Sequence, residues 1–426
     1  MLKLTLYPKK EEYAELLKRP HKDAADLGAT VASVLKDVRE GGDAAVLRYE
    51  AMFDKVELST LRVTDQEMLE AESLVSDELK SAIHLAHSNI GKFHESQRMS
   101  SVDVETAPGV RCWQKSVAIE SVGLYIPGGT APLFSTVLML ATPAKIAGCK
   151  EIVLCSPPSK EGKLHPAILY AAKVAGVNCI FKCGGVQAIG AMTYGTESVP
   201  KVSKIFGPGN QYVMCAKQQV SMSDVAIDMP AGPSEVAIVA DETCHPDYVA
   251  ADLLSQAEHG MDSQSILFTN SEKVAKEVIA EVDKQLANLA RKDMAAASLQ
   301  HSHVVVLSDM EETFSICNDY APEHLILAMD NAVEWSDRVV NAGSVFLGHY
   351  SCESAGDYAS GTNHTLPTSG YAKAYSGVNL DSFCRKITFQ HLTREGINSI
   401  GRAVEVMAEA EHLDAHRNAM TLRMKN

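Results

Sequence analysis

The stretch EIVLCSPP, residues 151–158, is the clearest indication of fold class in this chain. Its apolar run is short and ends in two prolines, which is typical of a strand buried on both faces. The next segment, HPAILYAAKVAG (165–176), has the apolar spacing of a helix, and NCIFKCGG (178–185) again resembles a strand. Strands that alternate with helices in this way predict βαβ units and a mainly parallel sheet.

The same alternation returns after residue 235, in EVAIVAD, SQSILFTN, HVVVLSD, HLILAM and SVFLG and the helical segments between them. We therefore predict an α/β fold of two Rossmann-like units with parallel sheets, plus a helical N-terminal arm and a helical C-terminal extension. The predicted division is an arm (1–23), a main α/β domain (24–126 with 237–380), a second α/β domain (127–236) and a C-terminal helical segment (381–426).

Composition excludes several classes of protein. The 426 residues are 46% hydrophobic and carry a net charge of −15, which argues against nucleic acid or an anionic membrane as the main partner. The charged N-terminus lacks the apolar core of a secretory signal, and no apolar run approaches the roughly 20 residues of a membrane span. Ten cysteines without a C-x-x-C pair fit a reducing, cytoplasmic location.

Three glycine-rich turns adjoin strand-like runs: IPGGTAPL (126–133), CGGVQAIG (183–190) and FGPGN (206–210). Such turns expose backbone N–H groups at helix N-termini, where phosphates bind. None matches G-x-G-x-x-G, and glycine serves tight turns whatever the function. Any single turn is explained by structure alone, whereas three in one unit favour a nucleotide cofactor modestly.

Two polar pairs could carry chemistry. In LLSQAEHG (253–260), Gln256 and His259 lie on the polar face of a predicted helix, where a solvated edge is the simpler interpretation. In YAPEHLIL (320–327), Glu323 and His324 suit general acid–base work. Adjacent strand residues point to opposite faces, so a shared site requires irregular backbone. A capping glutamate and a core histidine explain this second pair equally well.

Two further segments hold titratable groups. Residues 353–368 read as a loop with Glu353, Asp357 and His364, and the helix near 410–420 carries Glu411 and His416. The last two are about 140° apart on an ideal helix, which favours a solvated face. Zinc accepts nitrogen and oxygen donors of this kind. Spacing alone therefore indicates only a metal or acid–base enzyme of α/β class, with these potential ligands: Gln256, His259, Asp357 and His416.

Longer phrases resemble histidinol dehydrogenase, and the resemblance runs over nearly the whole chain. They are VGLYIPGGTAPLFSTVLMLATPAKIAGCKEIVLCSPP (122–158), KIFGPGN (204–210), IDMPAGPSE (227–235), DLLSQAEHG (252–260), YAPEHLI (320–326) and SAGDYASGTNHTLPT (354–368). The resemblance implies the last steps of histidine biosynthesis, in which L-histidinol is oxidised to L-histidine through histidinaldehyde in two hydride transfers to NAD.

The resemblance also implies roles for individual residues. One zinc ion (Zn2+) per active site would orient the substrate, and Glu323 and His324 would be the catalytic pair. The implied zinc ligands are Gln256, His259, Asp357 and His416. The other implied substrate contacts are Ser234, His324, His364 and Glu411, and the implied cofactor contacts, in the second domain and at its border, are Tyr125, Gln187 and Asn210. A homodimer is implied in which the C-terminal segment swaps, so that Glu411 and His416 come from the partner chain.

Three alternatives stay open at this point. One is an NAD-dependent dehydrogenase of a related amino alcohol on the same scaffold. Another is a thiol-dependent aldehyde dehydrogenase with Cys149 or Cys155 as nucleophile, although both lie in or beside apolar runs. The third is a zinc-binding or dimerisation module without turnover, which would leave the Glu323–His324 pair and the glycine turns unexplained.

Overall fold

The computed structural model describes residues 2–20, 24–128, 131–230 and 232–425. The strands are β1 (Lys3–Leu6), β2 (Val102–Ala107), β3 (Val110–Ala118), β4 (Ser121–Tyr125), β5 (Glu151–Ser156), β6 (Cys179–Lys182), β7 (Lys204–Phe206), β8 (Ala226–Ile227), β9 (Glu235–Ala240), β10 (Gln264–Thr269), β11 (His303–Val306), β12 (His324–Ala328), β13 (Ser344–Leu347) and β14 (Cys384–Leu392).

The helices are α1 (Tyr13–Leu16), α2 (Ala24–Tyr49), α3 (Asp65–Leu74), α4 (Asp77–Glu95), α5 (Phe134–Ala147), α6 (Pro166–Val174), α7 (Gly185–Tyr194), α8 (Gln211–Ser221), α9 (Pro246–Ala257), α10 (Glu272–Leu286), α11 (Lys292–Ser298), α12 (Met310–Tyr320), α13 (Ala332–Trp335), α14 (Glu353–Tyr358), α15 (Arg394–Ala410) and α16 (Asp414–Lys425). Among the described residues, no helix combines the length and apolar composition that a membrane span requires.

Two parallel sheets form the centre of the molecule and confirm the predicted α/β class. One has the strand order β1-β11-β10-β9-β12-β13, and the other has the order β6-β5-β4-β7-β8. In each sheet the direction of the strand order reverses beside the first strand of the βαβ series. That strand is β9 in the six-stranded sheet and β4 in the five-stranded sheet. The EIVLCSPP stretch forms β5, whose residues after Glu151 are all buried.

The N-terminal arm is only partly helical. Its first residues form β1, which pairs in parallel with β11 from Lys3 opposite His303 to Leu6 opposite Val306. The short helix α1 follows, and its Leu16 packs under the six-stranded sheet with Val305 and Phe314. The arm therefore extends the six-stranded sheet instead of standing apart from it.

Helices α2 to α4 pack on the five-stranded sheet. Val34 and Val38 of α2 share one hydrophobic cluster with Ile189 of α7, and Ile83 of α4 shares another with Leu138 of α5. The predicted grouping placed residues 24–126 with 237–380, whereas this packing joins α2 to α4 to the unit that contains β5. An amphipathic helix does not encode locally which sheet its apolar face will cover.

Two local predictions are wrong. Residues 384–392, predicted as helix, form β14, which pairs antiparallel with β3; β3 also pairs with β2. The reason is non-local, because the partner strand lies far earlier in the chain. In the predicted loop 353–368, the first six residues form α14, which puts Glu353 and Asp357 one turn apart on the same face.

Candidate active site

Glu323 and His324 lie at the amino edge of the six-stranded sheet, where β12 begins. The backbone just before them is irregular, because Ala321 ends α12 in the left-handed conformation (φ 51°) and Pro322 follows. Both side chains are buried and reach the same space, with His324 Nδ1 3.6 Å from Glu323 Oε2. The structure thus provides the irregular backbone that a shared site requires of two neighbouring residues.

The backbone of Glu235, at the start of β9, holds both side chains. Its N–H donates to Glu323 Oε2 at 2.9 Å, and its carbonyl oxygen is 3.2 Å from His324 Nδ1. Since a carbonyl oxygen only accepts, Nδ1 carries a proton and Nε2 is the free nitrogen of the neutral ring. Among the described residues Nε2 has no hydrogen-bond partner, and it lies 3.4 Å from Asp357 Oδ1.

The surrounding charges perturb both groups. Burial raises the pKa of Glu323 to about 8, although nearby His324 lowers it. Burial lowers the pKa of His324, but the carboxylates of Glu353, Glu323 and Asp357 outweigh burial and hold that pKa well above its ordinary value. A pair with pKa values displaced by burial and by specific partners is typical of a catalytic site.

A cluster of metal-type donors lies beside this pair. His259, Glu353 and Asp357 each offer a ligand atom, and these atoms lie within 4.8 Å of one another. Helix α9 connects the parallel strands β9 and β10 and runs opposite to them, so its C-terminal end lies at the amino edge of the sheet. His259 follows this end. Desolvation by the surrounding protein lowers the pKa of His259, although the residue as a whole keeps an exposed surface.

Gln256 is fully buried, so the solvated-edge interpretation is wrong for this residue. In one orientation, its amide donates to Glu353 Oε2 at 3.2 Å and accepts from the Glu235 N–H at 3.2 Å. His259, Glu353 and Asp357 offer nitrogen and oxygen donors close enough together to share one cation, and donors of this kind fit a zinc ion.

His364 connects this cluster to the second sheet. Its Nδ1 is 2.9 Å from the backbone oxygen of Asp357, and its Nε2 is 3.2 Å from Thr136 Oγ1 at the start of α5. Burial lowers the pKa of His364. Ser234 lies directly before Glu235 at the same amino edge. The amino edge of the six-stranded sheet therefore lies next to the N-terminal end of α5, which belongs to the five-stranded unit.

Tyr125 and Asn210 lie at the carboxyl edge of the five-stranded sheet. Tyr125 ends β4, and Asn210 follows β7, so they flank the point where the strand order reverses. Ligands bind at such points in open α/β sheets. Gln187 on α7 is buried; its Nε2 donates to Glu50 Oε1 at 2.8 Å, while its Oε1 accepts from no described group.

In two of the three glycine turns, backbone N–H groups already donate to acceptors within the chain. At α7, the Gly184 N–H donates to Glu50 Oε1 and the Gly185 N–H donates to the Tyr125 hydroxyl. At α8, Asn210 Oδ1 accepts from two backbone N–H groups. Leu133 provides no capping side chain to α5, and Gly129 and Thr130 of that turn lie outside the described residues.

Within one chain, Glu411 and His416 do not join the cluster. Glu411 directly follows α15, His416 lies on α16, and both are exposed. The donor atoms that come together in the described part of the chain belong to His259, Glu353 and Asp357, without His416. If His416 is a zinc ligand, it must reach the cluster from another chain.

Three residues of this site were missed from sequence. Glu353 is one of several carboxylates in the predicted loop, but its four-residue spacing from Asp357 is the spacing that pairs two side chains on a helix. Glu235 is a charged residue at the start of an otherwise apolar strand, and that local signal was available. Arg19, which contacts Glu235, has no local signal at all.

The fold and the cluster together define an α/β protein equipped for acid–base or metal-assisted catalysis. The profile of the histidinol dehydrogenase family matches residues 17–424. A histidinol dehydrogenase of Bacteroides thetaiotaomicron is 65% identical over 424 residues, which cover 100% of this chain and 99% of the relative. One from Escherichia coli K12 is 52% identical over 417 residues, covering 97% and 95%.

A crystal structure of histidinol dehydrogenase from Elizabethkingia anophelis superposes with a TM-score of 0.97 at 54% identity, covering 100% of this chain and 98% of that one. The chain belongs to the histidinol dehydrogenase family. It is accordingly an oxidoreductase that acts on a CH–OH group, with histidinol as its substrate.

The thiol-dependent alternative finds no support in the cysteines. Cys149 and Cys155 are both buried, and burial raises the pKa of Cys149 to about 12, so its nucleophilic thiolate is scarce at neutral pH. An acetylating aldehyde dehydrogenase from Geobacillus thermoglucosidasius has a TM-score of 0.50 at 15% identity, which is a likeness of fold alone.

Proposed function

We propose that this chain catalyses the NAD-dependent, two-step oxidation of L-histidinol to L-histidine through histidinaldehyde, the last steps of histidine biosynthesis. The observation that supports the proposal best is the buried Glu323–His324 pair with the donors of His259, Glu353 and Asp357 beside it. The pair is suited to moving protons, and the neighbouring donors are suited to a cation.

In the first step, His324 Nε2 accepts the hydroxyl proton as the carbon loses a hydride. In the neutral ring, the contact of Nδ1 with the Glu235 carbonyl places the lone pair on Nε2. NAD, when bound, takes up the hydride in each of the two steps. The carboxyl edge near Tyr125 and Asn210 fits this cofactor because the strand order reverses there, and the orphaned Gln187 oxygen is a further acceptor for it.

In the second step, Glu323 in its ionised form removes a proton from the water that adds to the aldehyde, and His324 accepts the proton of the resulting hydrate. A carboxyl with a pKa of about 8 is a stronger base than an ordinary glutamate once it is ionised. The balance is one alcohol, one water and two NAD+ giving one carboxylate, two NADH and three protons.

The proposed zinc ligands are Gln256, His259 and Asp357 of one chain and His416 of another, with Ser234, His364 and Glu411 as further substrate contacts. Zinc would hold the imidazole and amine of histidinol and offset the negative charge of the neighbouring carboxylates. With that charge offset, the pKa of His324 would fall toward the range of a base at neutral pH.

We propose a homodimer because the C-terminal segment leaves large apolar side chains exposed in the single chain. They are Ile387, Val406, Met407, Leu413 and Leu422. Exposed apolar groups of this size mark interaction surfaces when they cluster. A second chain that covers them could bring Glu411 and His416 to its partner's site. A cytoplasmic location is part of the proposal and agrees with the free thiols described.

The reaction proposed predicts close to two NADH per histidinol consumed, because both hydrides go to NAD. Chelation should abolish NADH formation, and added zinc should restore it. The measurement is absorbance at 340 nm against histidinol consumed, before and after dialysis with a chelator. A ratio near one would contradict the two-step proposal, and full activity in the zinc-free protein would contradict the metal proposal. Imidazole-free amino alcohols, assayed in parallel, distinguish histidinol from a related amino alcohol as substrate.

Gln256 is the weakest donor of the proposed zinc set, which leads to a graded prediction. Gln256→Glu should retain zinc better than Gln256→Ala, because a carboxylate oxygen replaces the amide oxygen as a ligand. Zinc per chain after exhaustive dialysis measures this. Gln219→Glu on α8 makes the same chemical change away from the cluster and should keep wild-type zinc. Equal zinc loss in both Gln256 variants would mean that Gln256 does not contact the metal.

A further inference from the structure

Glu235 begins β9 with a side chain that is only 4% exposed, beside strand residues that are almost all apolar. Its backbone N–H binds Glu323 and its carbonyl contacts His324, as described above. The backbone of this one residue therefore contacts both side chains of the acid–base pair.

Arg19 holds the Glu235 carboxylate through a bidentate contact. Arg19 Nε donates to Glu235 Oε1 at 2.5 Å, and Nη2 donates to Oε2 at 2.9 Å. The Ser369 N–H also donates to Oε1, at 2.7 Å. Each carboxylate oxygen thus has a donor, and a planar guanidinium fork restricts the carboxylate more than a point charge would.

Arg19 is itself fixed from several sides. Its Nη2 donates to the backbone oxygen of Tyr320 at 2.7 Å, and its Cζ lies 4.0 Å from the centre of the Tyr320 ring. The Tyr320 hydroxyl donates to Gln264 Oε1, and Gln264 in turn donates to the Lys18 carbonyl beside Arg19. These contacts form a closed network between the N-terminal arm, β10 and the end of α12.

A buried ion pair adds little to the free energy of folding, since the cost of desolvating the two charges can exceed their attraction. A rigid pair next to a catalytic pair is better explained by orientation, because catalytic groups lose activity when displaced by as little as about 1 Å. Arg19 lies on the N-terminal arm, whose other structural role is to add β1 to the six-stranded sheet.

We propose that Arg19 and Glu235 are positioning residues for the oxidation. The ion pair fixes the backbone at the start of β9, and that backbone fixes the direction of Glu323 Oε2 and of the His324 ring. The proposal rests on the proposed roles of Glu323 and His324. The two side chains bind each other, the Ser369 N–H and the Tyr320 carbonyl, and the link from Glu235 to the acid–base pair runs through its backbone.

The test compares Arg19→Lys with the double variant Arg19→Met/Glu235→Gln. The lysine keeps the charge but loses the fork. The double variant removes both charges, so that no unpaired charge stays buried, and its amide can still accept from the Ser369 N–H. We expect both variants to keep wild-type zinc content and a KM for histidinol within about twofold, while kcat falls about ten- to a hundredfold.

Arg111→Lys is the matched control, because Arg111 makes a similar bidentate contact with Asp103 on the antiparallel sheet. It should leave kcat unchanged. The unfolding temperature of the double variant shows whether it is folded. Wild-type kcat in the folded double variant and in Arg19→Lys would overturn the inference.

Glu323→Gln and His324→Asn are assayed beside these variants. If they lower kcat strongly while the Arg19 and Glu235 variants do not, only the positioning role fails. If they too leave kcat unchanged, the proposed acid–base roles fail, and the positioning role fails with them.

Discussion

His324→Asn is expected to lower kcat for histidinol oxidation by about a hundred- to ten-thousandfold, the usual contribution of a positioned general base. The asparagine amide can still donate to the Glu235 carbonyl in place of Nδ1–H, but it offers no counterpart to the Nε2 lone pair. Steady-state NADH formation, with the zinc content of each preparation, measures the effect.

His84→Asn is the control for this change. His84 lies on α4, where its Nε2 is 3.2 Å from the Tyr170 hydroxyl of α6. The control should leave kcat of the folded protein near wild type. A His324→Asn enzyme with more than a tenth of wild-type kcat would rule out His324 as the base.

Glu323→Gln separates the two steps of the same reaction. The glutamine oxygen can still accept from the Glu235 N–H, so the local structure is kept while the ability to take up a proton from water is lost. The first hydride transfer should continue and the second should slow, so NADH per histidinol should fall from close to two toward one. An unchanged ratio would remove Glu323 from the second step.

The second large effect is expected on mixing two inactive chains. His259→Ala and His416→Ala should each be inactive alone, because each removes a proposed zinc ligand. If His416 serves the site of the partner chain, a mixed dimer has one site with both changes and one intact site. Random reassociation after unfolding and refolding together should then restore about a quarter of wild-type activity.

A mixture of His259→Ala with Asp357→Ala is the control. Both residues belong to the cluster that one chain forms on its own, so every site in that mixture carries at least one change and should stay inactive. Activity in the control mixture would show that activity arises without shared sites. Absence of activity in the His259 and His416 mixture would contradict the proposed exchange of the C-terminal segment.

Much of the fold followed from local patterns. Apolar runs such as Ile152 to Cys155 are strands because each is buried on both faces, and burial of this kind is visible in a short window of sequence. The βαβ alternation then predicts parallel sheets. The pair Glu323 and His324 was also visible, because a charged neighbour at the start of an apolar strand is unusual.

Tertiary structure alone decided the remainder. β14 is a strand because β3 pairs with it along its whole length, and β3 lies far away in the sequence. Gln256 is buried because the end of α9 meets α14 at the amino edge of the sheet. Arg19 and Glu235 lie far apart in the sequence, so no short window of sequence contains both. Local periodicity records which faces are apolar, whereas the partner of each face is set by the free energy of the whole packed chain.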